Sequence, residues 1–407
     1  DRRAAGIERW IDDHDRTGSC FAITRRSPDS VIAWMIAAWR SGSTIAILSD
    51  RDPLDQVVAQ ARKIGALCIL PEQRDPPECD PTRSTLDRDR PLTILCTSGS
   101  TMQPKAVAHS LNNHWHSAIS SNERTPFGRG DRWILSLALW HIGGLAIVWR
   151  ALAGRGELVI PGDCLRSSIE HQRVTHLSVV ATQLSRLLDQ GLIKGSLTHI
   201  LIGGGPIPPS LLDRARHLPI QATYGMTELA SQLCTQTVNS KNNYSAGPPL
   251  SGWKVVLSAQ GEICVDGPAL FLGYFRDGEL HTARDESGLF HTGDLGSWND
   301  GELVIVGRID QMFISGGENI YPEEIERCIA AVAGVDAVCV VPIPSDEFGH
   351  RPAAFIAGQH KITELQQHLK QQLPRFKHPL HIFQWPSEVS QHKAPREQLK
   401  LLALELI

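Results

Sequence analysis

Apolar residues recur at helical spacing over 32–39 and 54–64, and form unbroken runs at 44–48 and 66–70. Helix, strand, helix, strand is therefore the order predicted for the first seventy residues, which implies a predominantly parallel sheet with flanking helices. Residues 71–90 are rich in Pro, Asp and Arg and read as an exposed loop. Leu92-Thr93-Ile94-Leu95-Cys96 is a further strand. The most apolar stretch, 135–149, is broken by His141 and Gly143-Gly144, well short of the ~20 apolar residues a membrane helix needs. It predicts strand, loop, helix. From about residue 238 short strands between glycine turns take over, at 254–257, 262–265 and 301–306, and imply a β-rich subdomain. A new unit follows Gly307, with helices at 322–331 and 363–373 and strands at 337–341 and 353–356. The expected fold is α/β: a large domain over 1–307 with mixed or parallel sheets and a β-rich subdomain, then a small mobile α+β domain over 308–407.

Composition narrows the options. The chain has 407 residues, enough for two domains, and ordinary apolar and charged content. A net charge of −4, without blocks of one sign, gives no footprint for nucleic acid or an anionic membrane. The nine cysteines have no CxxC spacing, and several sit in apolar runs, as a reducing compartment allows. The opening Asp1-Arg2-Arg3 leads into a mixed polar helix, not a signal peptide. A soluble, cytoplasmic protein is expected. The sequence leaves a homodimer open.

The chemistry begins directly after the strand at 92–96. Thr97-Ser98-Gly99-Ser100-Thr101-Met102-Gln103-Pro104-Lys105 sets hydroxyls and a glycine ahead of a lysine, a combination suited to surrounding a polyphosphate. It is not a Walker A loop, since GxxxxGK[ST] is absent. Taken alone, a Ser/Thr-rich surface loop explains it equally well. Further along, Thr223-Tyr224-Gly225-Met226-Thr227-Glu228 offers a ring to stack on a purine, a hydroxyl for a phosphate and a carboxylate for hydrated magnesium. Gly203-Gly204-Gly205-Pro206 permits close backbone approach to a flat base. His291-Thr292-Gly293-Asp294 adds a carboxylate for ribose hydroxyls, and Gly307-Arg308-Ile309-Asp310 joins the β-rich part to the last unit.

In order and spacing these segments resemble the superfamily of acyl-CoA synthetases, peptide-synthetase adenylation domains and luciferases, over about residues 92–399. The resemblance implies ATP-dependent formation of an acyl-adenylate, with magnesium, followed by transfer to the thiol of coenzyme A. It implies that Thr97, Ser98, Gly99, Ser100, Thr101 and Lys105 cradle the β- and γ-phosphates. Gly204, Gly205 and Tyr224 would enclose adenine, Thr227 the α-phosphate, and Glu228 the magnesium ion. Asp294 and Arg308 would hold the ribose, Asp310 would be the hinge, and Gly316-Gly317 the loop that enters for thiolation. Lys393, in Gln391-His392-Lys393-Ala394-Pro395-Arg396, matches the catalytic lysine motif, with His392 in place of its glycine. Met102 likewise replaces a usual glycine of the phosphate loop.

Several segments resemble one branch, the o-succinylbenzoate–CoA ligases of menaquinone or phylloquinone biosynthesis. They include His109-Ser110, Gly130-Asp131-Arg132-Trp133, His141-Ile142-Gly143-Gly144 and Ser178 to Leu184. That likeness implies o-succinylbenzoate as the acid, and Arg150, Thr182 and Ser178 lie in the segments from which its ring carboxylate needs a donor. His141 matches a histidine at the acyl pocket with a gating or positioning role; read without the resemblance, it is a buried histidine donating to a carbonyl. His114 and His116, two apart on a helix, point away from each other and are no metal pair. The alternatives are another aryl- or acyl-CoA ligase, or a nucleotide-binding pseudoenzyme, which Met102 and His392 favour.

Overall fold

The apolar runs at the start of the chain become neighbouring parallel strands. Cys20–Ile23 lies between Thr44–Ile47 and Leu67–Ile69, and Thr44–Ile47 pairs in turn with Pro91–Thr97. The computed structural model describes residues 1–407 apart from 70–74, 80–86, 98–104, 206, 239–244, 388 and 390–395. Helices Arg2–Asp13, Pro28–Arg40 and Leu54–Lys63 connect and cover these strands where the spacing placed them. Proline at the start of Pro28–Arg40 has its φ preset for a first turn and loses no needed donor.

The expectation of a predominantly parallel sheet holds for only half of this layer. Lys105–Ser110 folds back antiparallel on Pro91–Thr97, and Gly273–Arg276 and Glu279–His281 continue antiparallel beyond it. The reason is connection length. Seven residues separate Thr97 from Lys105, and a parallel crossover needs about a dozen or more. Strands from the later, β-rich part thus complete the first sheet.

The second sheet runs in the order Cys234–Thr237, Ile220–Tyr224, His199–Ile202, His176–Val179, Arg132–Ile134, Glu157–Val159, and is parallel except for its first strand. A core containing Trp34, Trp133, Trp149 and Phe21 packs beside these two sheets. Each such ring contributes about 1.5–3 kcal/mol by leaving water.

The third sheet is antiparallel: Lys254–Leu257, Glu262–Asp266, Phe290–Asn299, Glu302–Arg308. Its register contains a pronounced bulge. Cys264 pairs with His291 but Glu262 pairs with Leu295, so two steps on one strand face four on the other. Thr292-Gly293-Asp294 stand opposite the single residue Ile263, a surplus of two, and Gly293 supplies the positive φ of +75° that the kink requires.

The fourth sheet, formed by Glu318–Ile320, Phe313–Ser315, Gly349–Ala357, Ala337–Ser345 and His381–Gln384, is covered by helices Pro322–Ala330, Ile362–Gln372 and Arg396–Leu406. Arg327 donates to the carbonyls of Ile305 and Val306, which seats this unit against the third sheet. Among the described residues no helix is long and apolar enough to cross a membrane.

The loop expected at 71–90 is not solvated throughout. Asp75 is half-buried and accepts from Arg26 (2.6 Å), Ser30 (2.6 Å) and Trp34 Nε1 (2.9 Å). Composition alone does not reveal a carboxylate that a distant helix requires.

Helix Leu111–Arg124 starts with a capping box. Ser110 Oγ accepts from the Asn113 amide at 3.1 Å, and Asn113 Oδ1 accepts from the Ser110 amide at 2.9 Å. Asn113 also donates to the Pro268 carbonyl, tying the helix to the β-rich part. Replacing Ser110 by Ala is expected to lower unfolding free energy by about 1–2 kcal/mol. The measurement is urea unfolding, with a lower midpoint and an unchanged slope.

Candidate active site

Three parallel strands of the second sheet end side by side, at Val179, Ile202 and Tyr224. In open α/β sheets the crevice at the carboxyl ends of such strands is where ligands bind. Gly203, Gly204 and Gly205 follow the middle strand. A Cβ on Gly203 would come within 2.2 Å of Thr223 Oγ1, and Gly204 has a φ of +84° against Val180. Gly205 is open on its Cβ side. The backbone here is bare for a reason of packing on one side and of access on the other.

Beyond Tyr224 the chain turns so tightly that a Cβ on Gly225 would lie 1.7 Å from the Ser231 carbonyl oxygen. Ala230 and Ser231 both have positive φ, an uncommon and strained conformation for side-chain-bearing residues. The short 3-10 turn Thr227–Leu229 carries Glu228 inward. Only 6 % of Glu228 is exposed, its Oε1 accepts from Tyr274 OH at 3.0 Å, and it has no ion pair among the described residues. A buried carboxylate in that state lacks a cation. Lys105 Nζ stands 5.1 Å over the Tyr274 ring, next along this chain of contacts.

His109 Nε2 donates to the Thr227 carbonyl at 2.8 Å. Burial pushes His109 down to about 4, so the ring is neutral. His114, pushed well below its ordinary value by burial and then by His109, bonds Thr93 Oγ1 at 2.7 Å and stacks on Trp149. These rings support the turn from behind, and neither ligates a metal among the described residues.

Tyr224 OH donates to Asp294 Oδ2 at 2.6 Å, and Arg308 Nη1 donates to Asp294 Oδ1 at 3.0 Å. Arg308 also holds Asp310 through two bonds, Nε to Oδ1 at 2.9 Å and Nη2 to Oδ2 at 3.0 Å. Burial raises the Asp294 carboxyl, and the bonds from Tyr224 and Arg308 oppose that shift. Burial, then Asp294, hold the Tyr224 phenol well above its usual range. Three sequence-predicted residues, Tyr224, Asp294 and Arg308, are therefore in direct contact, with the expected hinge residue Asp310 as a fourth.

Arg150, in helix Ile142–Gly154, is 2 % exposed and has no carboxylate partner among the described residues. Its Nη2 donates to Ser231 Oγ (3.1 Å) and Gln232 Oε1 (2.7 Å), its guanidinium lies 5.2 Å over the Trp133 ring, and its Nε has no hydrogen bond. Burial pushes it down to about 9. Of the other residues in the expected acid-binding segments, Ser178 has its hydroxyl engaged by Trp133 Nε1 at 3.1 Å and sits in the core. Thr182 is half-buried on helix Ala181–Asp189. His141 precedes helix Ile142–Gly154 and is exposed, which removes the reading as a buried histidine.

Thr97 ends its strand opposite Lys105, so the two residues that flank the expected phosphate loop are paired in register. Ser98, Gly99, Ser100, Thr101 and Met102 lie outside the described residues, as do His392 and Lys393. Gly316 and Gly317, with φ of +60° and +87°, form the two-residue turn joining Phe313–Ser315 to Glu318–Ile320, a hairpin geometry that favours glycine. Arg396, three residues past Lys393, is half-buried, donates to Glu326 at 2.7 Å and donates to the Val340 carbonyl. Sequence reasoning missed Tyr274, His109 and Arg396. It also underused Arg150, although a lone charge directly after the most apolar run of the chain, and inside a helix of otherwise apolar residues, is a signal in itself.

The sequence profile of the AMP-binding enzymes matches residues 70–275, that of their C-terminal domain matches residues 324–391, and this chain belongs to the AMP-binding enzyme family. It is an AMP-forming acid–thiol ligase, most like the 2-succinylbenzoate–CoA ligases. It is 38% identical to the 2-succinylbenzoate–CoA ligase of Haemophilus influenzae over 334 residues, covering 79% of this chain and 73% of that one. Identity to the Bacillus cereus ligase is 30%, over 86% and 80% of the two chains. Among solved structures, Escherichia coli MenE with bound OSB-AMS matches 99% of this chain and 91% of its own at 29% identity and a TM-score of 0.85. Bacillus subtilis MenE in complex with ATP and magnesium ion matches 98% and 93% at 26% identity and a TM-score of 0.86.

The buried histidines predict a pH dependence. Their folded-state pKa lies below the unfolded value near 6.5, so the unfolded chain binds more protons in between. Stability present above about pH 6.5 is lost as pH falls toward 4, at about 1.4 kcal/mol per pH unit for each histidine. His109→Gln keeps a donor for the Thr227 carbonyl and is expected to flatten that slope by about one proton. Urea unfolding between pH 7 and 5 measures it.

Proposed function

We propose that this protein activates o-succinylbenzoate with ATP and magnesium and passes the acyl group to coenzyme A, as the names of its relatives describe for them. The observation that carries the choice of acid is Arg150. A buried guanidinium without an anion among the described residues, bonded to Ser231 and Gln232 just past the Glu228 turn, suits a substrate with a second carboxylate. The ring carboxylate of o-succinylbenzoate would complete that charge, leaving the succinyl carboxylate to react.

The nucleotide roles belong to the same proposal. Gly204 and Gly205 leave room beside Tyr224 for adenine, and Asp294 with Arg308 faces the ribose. Glu228 fits a magnesium ion because its carboxylate is buried without a cation, and the ion would supply positive charge to the phosphates. Thr227, Lys105 and the segment Thr97 to Thr101 would contribute phosphate donors. The succinyl carboxylate oxygen attacks the α-phosphorus, the bond to the pyrophosphate oxygen breaks, and the acyl-adenylate forms without a protein nucleophile. Positioning and neutralisation of charge supply the acceleration, with Lys393 bridging carboxylate and α-phosphate. The thiol of coenzyme A then attacks the acyl carbon and AMP leaves.

Two units, 1–307 and 308–407, would divide this work, swinging about Asp310 between half-reactions and bringing the Gly316-Gly317 turn to the thiol's path. His141, exposed beside the acid-binding helix, would position or gate the acyl group. Location in the cytoplasm, and a step in menaquinone synthesis, are part of the same proposal.

Arg150→Lys is expected to raise KM for o-succinylbenzoate about 100-fold, near the 2–3 kcal/mol of a lost buried charge contact, and leave KM for ATP unchanged. Turnover of 4-oxo-4-phenylbutanoate, which lacks the ring carboxylate, would then be the same in both proteins; an equal loss with that acid defeats the assignment. Lys393→Ala is expected to abolish pyrophosphate release while thiolation of supplied acyl-adenylate continues. Equal loss of both half-reactions removes Lys393 from the adenylation step.

A further inference from the structure

The bulge that presents Asp294 to the nucleotide crevice has a second side. Cys264 and His291 are directly opposite each other on adjacent strands, so their side chains share a face. Glu262 is two residues before Cys264 and, by the period of a strand, lies on that face too. Cys264 Sγ is 3.5 Å from His291 Nδ1, and Glu262 Oε2 is 2.8 Å from the same nitrogen. One ligand atom from each residue lies within 4.8 Å of the others, the only such group among the described residues.

The surroundings resemble those of a metal centre more than those of a surface ion pair. The far nitrogen of His291, Nε2, is 3.0 Å from Asp285 Oδ2, and the other oxygen of Asp285 is held by two backbone amides of its own turn. A metal-bound histidine characteristically donates its second N–H to a carboxylate in this way, which fixes ring and tautomer. Glu262 Oε1 accepts from the Gly293 amide at 3.0 Å, so Oε2 is the oxygen turned to the centre. Zinc bonds of about 2.3 Å to sulfur and 2.0–2.1 Å to nitrogen put tetrahedral S and N ligands about 3.5 Å apart, the separation already present. The Glu262–His291 contact must open by about half an ångström, as the ion replaces the Nδ1 proton. Cys264 is buried at the base and His291 is half-exposed at the rim, leaving solvent access for a fourth ligand.

We propose that Glu262, Cys264 and His291 form a binding site for zinc or a similar borderline divalent ion, oriented by Asp285 and Gly293. The thiol and imidazole select against magnesium, which prefers oxygen ligands. An ion there cross-links the two strands on either side of Thr292-Gly293-Asp294 and stiffens the segment that carries Asp294.

The test uses the full chain, freed of metal with a chelator, without ATP. Cobalt(II) titration is expected to give a thiolate-to-cobalt charge-transfer band, saturating at a single ion per chain and displaced by zinc. Zinc alone is expected to raise Tm. Cys264→Ser and His291→Ala each remove both signals, whereas Cys164→Ser, at an exposed cysteine, changes neither. Asp285→Asn, a surface change, weakens zinc affinity about 10–100-fold. Metal-free Tm values of the variants show that they fold; if Cys264→Ser does not, the half-exposed His291 carries the test. Absence of the band, or its persistence in His291→Ala, overturns the proposal.

Discussion

Asp294 ties together parts of the chain that otherwise belong to separate sheets. One of its oxygens takes the Tyr224 hydroxyl at the end of the second sheet, and the other takes Arg308 at the end of the third. Arg308 then grips Asp310, where the chain leaves for the fourth sheet. Charge-assisted bonds of this kind contribute about 1.5–3 kcal/mol each when sheltered. Their larger effect is geometric. The ends of the second and third sheets and the start of the last unit are joined through one carboxylate, which the bulge at Gly293 delivers to that place.

Two charges near this chain have no counter-charge among the described residues, and both sit where burial is costly. Glu228 is an anion without a cation, and Arg150 a cation without an anion, on either side of the strained segment through Ala230 and Ser231. A protein selected only for stability would replace both, since a buried uncompensated charge disfavours the folded state. Both flank the turn that follows Tyr224, at the carboxyl end of a parallel strand. The turn is supported from behind by His109, which burial keeps neutral and which donates to the Thr227 carbonyl.

Much of this was legible in the sequence because it follows from short-range rules. The helices at 28–40, 54–63 and 322–330 and the strands between them have spacing and end signals that packing did not override. Tyr224, Asp294 and Arg308 were found from motif order, and the structure shows why they travel together: each bonds the next. What stayed hidden depended on partners distant in sequence. Nothing local announces that Gly273–Arg276 closes the first sheet, that Asp75 serves Trp34, or that Tyr274 reaches Glu228 across 46 residues. Arg396 was matched only as a position of the lysine motif; it is an anchor, half-buried between Glu326 and the Val340 carbonyl.

Gly225 has a consequence for how this gene can vary. The place a side chain would occupy is filled by the Ser231 carbonyl at 1.7 Å, and backbone cannot swing aside as a flexible side chain can. Every missense change available to a glycine codon adds at least a methyl group. Drift at this codon therefore has no mild alleles to sample: synonymous changes pass unseen, and all others meet the same carbonyl.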